Sequence, residues 1–402
     1  MDRTILHVDC NSFFASVETA LHPEYRDVPM AVCGNAQDRH GIVLAKNELA
    51  KKYGIVTAET IVSAKKKCPM LVIAPPHYDE YVKYSRAVKA IFERYTEQIE
   101  SFGIDESWLD VTASFKLFGS GEKIAHRIRE QVKEELGITV SVGVSFNKVF
   151  AKLGSDYKKP DAVTVISREN YKKIVYPLPV GDLLFVGSKT VHTLNSFGIY
   201  TIGELAEASE EFLLSRFGKM GAMLHRYAGG KDDSPVCTER VEQKSISNGF
   251  TFRYDIIGFE SCKRAIHKLC ESVGTKLRKE GMKCSGVGLK IKDIFLKTFS
   301  KQTILRRPTD ISEEIADAIC HLLPDIWEEK KPARAITVSV YQLLESDAVV
   351  EQVSFFTDEG ASEHRERLLR KETAIDSIRE RFGEDAILPL STYLDDTGLG
   401  IK

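Results

Sequence analysis

The sequence predicts a multidomain protein of the α/β (α+β) class, and three observations carry that prediction. Strand and helix patterns alternate through the first 165 residues, with the first strand far in sequence from its carboxylate partners, as in an α/β domain holding an inserted subdomain. A run of short helices and tight turns follows. The last is a β-α-β-β-α-β succession, a compact split βαβ pattern. A chain of 402 residues has material for about two to four such domains.

Taken in order, residues 2–9 read as a buried strand. Residues 12–21 have helical spacing, with Phe13, Phe14, Val17 and Leu21 on one face, and stop at His22-Pro23. Short strands are expected at 30–33 and 41–45, and a short helix at 47–53 ends at Gly54. After Pro75-Pro76 comes a long amphipathic helix over 78–95, then a strand around Asp105, a helix over 121–136, a strand over 139–145 and a helix opening at 146. From 170 to 226 short helices dominate. Gly187-Ser188-Lys189-Thr190 superficially suggests a phosphate-binding P-loop, but its glycine spacing is wrong. A glycine turn between two short helices fits better; it either offers N–H groups to a phosphate or is a plain helical hairpin.

Gly229-Gly230 through Pro235 reads as a linker. Beyond it, strands are expected at 245–252, 285–293, 297–305 and 335–343, with helices at 260–278 and 313–322. In the strand near Val287, Leu289 and Ile291, Lys290 and Lys292 alternate with the apolar side chains. One sheet face is then apolar and the other basic. The tail after Ser346 is acidic, with one helix over 362–382.

Composition narrows the class. With 28% charged and 43% hydrophobic residues the chain reads as an ordinary soluble protein. No apolar run reaches the ~18 residues of a membrane span, and Asp2, Arg3 and Asp9 interrupt any signal-like start. The eight cysteines are scattered without a Cys-x-x-Cys pair, which points to reduced thiols in the cytoplasm rather than zinc or disulfides. Net charge is −2, but its distribution is uneven. Lys244 to Asp310 holds 15 Lys/Arg against 6 Asp/Glu, and Glu345 to Lys402 holds 14 Asp/Glu against 7 Lys/Arg. A basic module beside an acidic tail suits a nucleic-acid backbone, or is simply a well-solvated basic face.

The chemistry lies at two strand ends. Ile5-Leu6-His7-Val8-Asp9 and Gly103-Ile104-Asp105-Glu106-Ser107-Trp108-Leu109-Asp110 both carry carboxylates inside apolar runs. A lone Asp at a strand end is usually a turn or cap residue. Adjacent Asp105 and Glu106 are different, since strand neighbours point to opposite faces and one must face a buried side. A metal or a basic partner would resolve that conflict. Mg²⁺ takes hard oxygen ligands, and two such ions roughly 3.5–4 Å apart can hold the attacking and leaving oxygens of an in-line displacement. The pattern points to nucleotidyl transfer.

On these residues the chain resembles the Y-family (translesion) DNA polymerases, and among them the bacterial members. The likeness spans about residues 4–345 and rests on Asp9-x-Asn-x-Phe-Phe14-Ala-Ser-Val-Glu18, Gly103 to Asp110, Ser141-Val-Gly-Val-Ser-x-Asn-Lys148-Val-Phe-Ala-Lys152 and Lys159-Pro160. It implies a right-hand polymerase: palm at 1–10 and 77–165, fingers at 11–76, thumb with a helix-hairpin-helix at 166–232, linker 233–242, little finger 243–345 and an acidic tail 346–402. It implies that Asp9, Asp105 and Glu106, with the Cys10 carbonyl, bind two Mg²⁺, and that the three carboxylates are catalytic. Phe14 matches the steric gate against ribonucleotides. Phe13 matches the residue whose backbone N–H meets the triphosphate, and Lys51 and Lys159 match its cationic contacts. The implied partners are primer-template DNA and dNTPs, with no membrane, for a cytoplasmic monomer that copies DNA with low fidelity and no proofreading in damage tolerance and repair.

The chain departs from that pattern in the fingers. Glu48 stands where many relatives carry a Tyr on the triphosphate, so Glu48 is expected to turn away, with Asn47 or Lys46 substituting. Ile42 and Leu44 replace small residues above the incoming base pair, which bears on tolerance of bulky lesions. In the tail, Gln352-Val-Ser-Phe355-Phe356 resembles peptides that dock into the bacterial sliding clamp, though it also suits a segment packed on the preceding domain. Two rivals remain. A nucleotide cyclase on a related palm would need neither the basic module nor the hairpin. A catalytically silent DNA-binding scaffold would be expected to lack one of the three carboxylates.

Overall fold

The structure, a computed structural model, describes residues 3–34, 41–239, 242–348, 359–383 and 386–387. It divides into two units, residues 1–240 and 241–402. The first unit contains strands β1 (Ile5–Cys10), β2 (Met30–Cys33), β3 (Val43–Lys46), β4 (Val72–Ala74), β5 (Ile99–Ser101), β6 (Glu106–Asp110), β7 (Val140–Ser145) and β8 (Val163–Ile166). Five of them form one sheet in the order β5-β6-β1-β7-β8, and a smaller sheet runs β3-β2-β4.

The large sheet is centred on β1, all six of whose residues are buried. Both neighbours run antiparallel to it, and the register sets Asp9 opposite Glu106 on one side and opposite Ser141 on the other. Helices Tyr78–Glu93 and Gly121–Leu136 contribute Tyr81, Val88, Ile91, Phe92, Ile124, Ile128 and Val132 to the core beneath the sheet. Helix Lys148–Tyr157 lies against β1, β7 and β8. It approaches so closely at Gly143 that a Cβ there would sit 1.9 Å from the Ala151 carbonyl oxygen. Only glycine lets the helix backbone reach the sheet.

The small sheet carries its own core of Ala31, Cys33, Val43, Ala50, Ile55, Ile61, Ala64, Cys68 and Leu71. Its β3 begins at Val43 rather than 41, because Ile42 makes only an isolated bridge to Thr60. After the short helix Tyr171–Val175, four more, Ser188–Ser196, Ile202–Glu207, Glu210–Phe217 and Lys219–Ala228, follow the sheet domain. Gly187 opens the first of these four in extended conformation, and Gly198 at φ +79 turns the chain after it.

The second unit has strands β9 (Ser245–Ile256), β10 (Met282–Asp293), β11 (Thr298–Thr309) and β12 (Ala333–Glu345), ordered β11-β10-β12-β9 and antiparallel throughout. Helices Phe259–Lys279 and Ser312–Cys320 cover one face and bury Val287, Leu289 and Ile291. Lys290 and Lys292 stay exposed on the other. Helix Glu359–Phe382 docks on the helical layer. Arg278 bonds Glu372 and, at 2.6 Å, Asp376, while Ser312 donates to Glu372 through its backbone N–H (3.0 Å) and hydroxyl (2.9 Å). Part of the acidic character of the tail is therefore neutralised inside this unit. The segment containing Gln352, Phe355 and Phe356 lies outside the described residues.

Candidate active site

The carboxylates converge because β1 and β6 pair. Asp9 and Glu106 are direct partners across the ladder, and the Cys10 N–H donates to the Asp105 carbonyl at 3.0 Å. Asp9, Cys10, Asp105 and Glu106 share a cleft of about 400 Å³ with Asn11, Ser12, Phe13, Phe14, Leu44, Ala45, Lys46, Lys51, Thr57, Ile104 and Lys159. Ligand atoms of His7, Asp9 and Glu106 lie within 4.8 Å of one another.

The electrostatics follow from that crowding. Burial, then the charges of Asp9 and Glu106, pushes the Asp105 carboxyl up to about 6. Burial would raise Glu106 too, but bonding from His7 and Lys152 outweighs it and holds Glu106 low. Lys152 and Lys159 are kept firmly charged: burial opposes this, and the neighbouring Asp9, Asp156 and Glu106 more than offset it. Hard oxygen donors whose mutual repulsion is relieved by cations are the donor set Mg²⁺ takes.

Beneath the carboxylates His7, fully buried, spans from Glu106 (3.1 Å) to Ser155 (2.8 Å). Its pKa is lowered, chiefly by burial. Lys152 reaches Asp9 at 3.0 Å, Glu106 at 2.8 Å and Asp156 at 3.2 Å, and Lys159 reaches Asp9 at 2.7 Å and Asp156 at 2.6 Å. Sequence reasoning assigned no role to His7, Lys152, Ser155 or Asp156. The signal was present: His7 shares a strand face with Asp9, and Lys148, Lys152 and Asp156 recur at helical spacing.

The opposite wall is the start of helix Phe13–Leu21. Ser12 adopts a left-handed backbone (φ 50, ψ 40) that turns the chain sharply from strand into helix. Among the described residues no side chain caps this N-terminus and no acid occupies its first turn, so its N–H groups are available to an anion. Phe13 is buried. Phe14 stacks on Tyr81 with ring centroids 4.1 Å apart and planes 12° from parallel, and meets Tyr78 edge-on. Tyr81 is itself fixed by a hydroxyl bond to buried Glu18, so the Phe14 ring has a rigid backing.

In the fingers, Glu48 accepts from Ser12 (3.2 Å) and Lys51 (2.6 Å) and does not line the cleft, whereas Lys51 does. Asn47 corrects an expectation. Its side chain caps the helix at Ala50 (2.9 Å) and donates to the Val28 carbonyl (2.8 Å), so it is not available to a ligand. Lys46 lines the cleft, bonded to Thr57 at 2.9 Å, with its pKa lowered by burial and by Lys51. Leu44 lines the cleft as well; Ile42 does not.

Known proteins share this architecture. The signature of the impB/mucB/samB family matches residues 8–156, and that of the family's C-terminal domain matches residues 243–355. The chain is 48% identical over 401 residues to the DNA polymerase IV of Acetivibrio thermocellus, covering 99% of each chain. It is 36% identical to that of Clostridium acetobutylicum, covering 96% of this chain and 98% of the other. Among solved structures, a Y-family DNA polymerase chimera of Dbh and Dpo4 superposes with a TM-score of 0.76 at 25% identity, over 85% of this chain and 99% of that one.

Proposed function

The chain belongs to the impB/mucB/samB family and is a DNA-directed DNA polymerase of the Y-family, acting in translesion synthesis, and on that premise we propose how its residues divide the work. In the reaction a primer 3′-OH attacks the α-phosphate of a template-selected dNTP, forms a phosphodiester and releases pyrophosphate. Asp9, Asp105 and Glu106, with the Cys10 carbonyl, hold two Mg²⁺. When bound, such ions activate the primer hydroxyl and stabilise the leaving pyrophosphate.

The remaining steps fall to the chain itself. The uncapped N-terminus at Phe13 receives the triphosphate on its N–H groups. Lys159 and Lys51, with Lys46 beside them, supply positive charge toward the β- and γ-phosphates. Phe14, backed by Tyr81, closes the space a ribose 2′-OH would need. Leu44 lies where it can cover the nascent base pair. The exposed basic face of β10 grips the phosphate backbone. Residues 1–10 and 77–165 serve as palm, 11–76 as fingers, 166–232 as thumb with its helical hairpin, and 243–345 as little finger. Gln352, Phe355 and Phe356 tether the enzyme to the sliding clamp. The enzyme works as a cytoplasmic monomer with low fidelity and without proofreading.

The observation that carries this reading is the pairing of Asp9 with Glu106, with Asp105 alongside, on the floor of a cleft walled by Phe14 and cationic side chains. A cyclase on the same palm has no use for the basic sheet. Extension of a primer-template by all four dNTPs with Mg²⁺ tests it: stepwise template-dependent addition is expected, and no addition would refute it.

A further inference from the structure

The carboxylates already hold a cation of their own. Lys152 points into the site from helix Lys148–Tyr157, its side chain 15% exposed, with Nζ 3.0 Å from Asp9 Oδ2 and 2.8 Å from Glu106 Oε2. Its third partner is Asp156, one helical turn on, at 3.2 Å. Lys159 is 31% exposed and lines the substrate cleft, whereas Lys152 does not line it. A largely covered ammonium off the cleft is poorly placed for a triphosphate. It is well placed against the two carboxylate oxygens that a divalent cation would need.

We propose that Lys152 is a resident counterion of the metal site. It bridges Asp9 and Glu106 while no metal is bound, keeps the carboxylates in register against their repulsion, and gives way to the incoming ion by moving onto Asp156. Lys152 is in this account a positioning residue, and the account rests on the reading of Asp9 and Glu106 as metal ligands. Two consequences follow. Divalent metal competes with the ammonium, so the DNA-free and nucleotide-free protein binds it weakly. Removing the positive charge tightens metal binding, because the competitor is lost and the site becomes more negative.

The test is Mn²⁺ binding to the full chain without DNA or nucleotide, followed by electron paramagnetic resonance. Lys152→Gln is expected to tighten Mn²⁺ binding by at least about fivefold, while Lys152→Arg, which keeps the charge, stays close to wild type. Asp9→Asn is expected to lose binding. If Asp9→Asn bound Mn²⁺ as wild type does, the metal-ligand reading itself would fail. If Asp9→Asn lost binding but Lys152→Gln bound no more tightly, only the counterion proposal would be overturned. A second measurement needs no variant. Reductive methylation of the wild-type protein, mapped by mass spectrometry, should rise several-fold at Lys152 when Mn²⁺ is added. Lys148, paired with Glu100 at 2.6 Å, should not change. Equal labelling of Lys152 with and without Mn²⁺ contradicts the proposal.

Discussion

Gly143→Ala would displace the helix that carries Lys152 into the site. Gly143 lies opposite His7 in the sheet, and an added Cβ would stand 1.9 Å from the Ala151 carbonyl oxygen and 2.5 Å from the Ser155 nitrogen. Both are backbone atoms, so no rotamer change relieves the clash. Opening the contact even to 3.0 Å, the tight limit for a Cβ, moves helix Lys148–Tyr157 by about 1.1 Å. The contacts of Lys152 with Glu106 and Asp9, at 2.8 and 3.0 Å, then stretch toward ion-pair distances of about 4 Å. His7 loses its bond to Ser155, and Lys159, just past the helix, is carried along. A misplacement of about 1 Å can cost ~10²-fold in rate, and overpacking about 1–3 kcal/mol in stability. Single-turnover incorporation of one dNTP on a saturating primer-template measures the first, and calorimetry the second. Incorporation within threefold of wild type, with an unchanged Tm, would refute the view that backbone contact at Gly143 sets the site.

Three further outcomes are expected. Phe14→Ala should admit ribonucleotides, raising rNTP use relative to dNTP use; an unchanged ratio would make Phe14 a core residue only. Glu372→Gln should destabilise the second unit by about 2–3 kcal/mol, because Arg278, 11% exposed, loses one of its two carboxylate partners and keeps only Asp376. An unaltered unfolding transition would count against that network. Replacing Phe355 and Phe356 by Ala should leave clamp-free extension unchanged but remove the stimulation given by a loaded sliding clamp, since tethering acts through effective concentration. Stimulation that survives the double substitution would end the clamp reading.

The parts legible in the sequence were those in which a local pattern conflicts with its surroundings. Asp9, Asp105 and Glu106 stand out because carboxylates interrupt apolar runs, and the alternation of Lys290 and Lys292 with Val287, Leu289 and Ile291 displays both faces of β10. Long-range packing was not legible. Nothing local says that β1 pairs with β6 so as to set Asp9 against Glu106, or that Lys152 and Ser155 turn toward β1 through the contact at Gly143. Strands β4 and β8, of three and four residues, gave no periodicity of their own and gain their definition from parallel partners β2 and β7. Asn47 shows a local signal outweighed by a family resemblance: an Asn directly before Glu48-Leu49-Ala50-Lys51 is an N-cap by chemistry, and the structure uses it as one.

The central claim is that Asp105 and Glu106 serve the chemistry while the basic second unit holds the DNA. Asp105→Ala and Glu106→Ala, each assayed for primer extension with Mg²⁺ and for primer-template binding in the same buffer, test it most directly. The account predicts that extension is abolished while DNA affinity stays within a few-fold of wild type. Extension persisting within tenfold of wild type in either variant would contradict it.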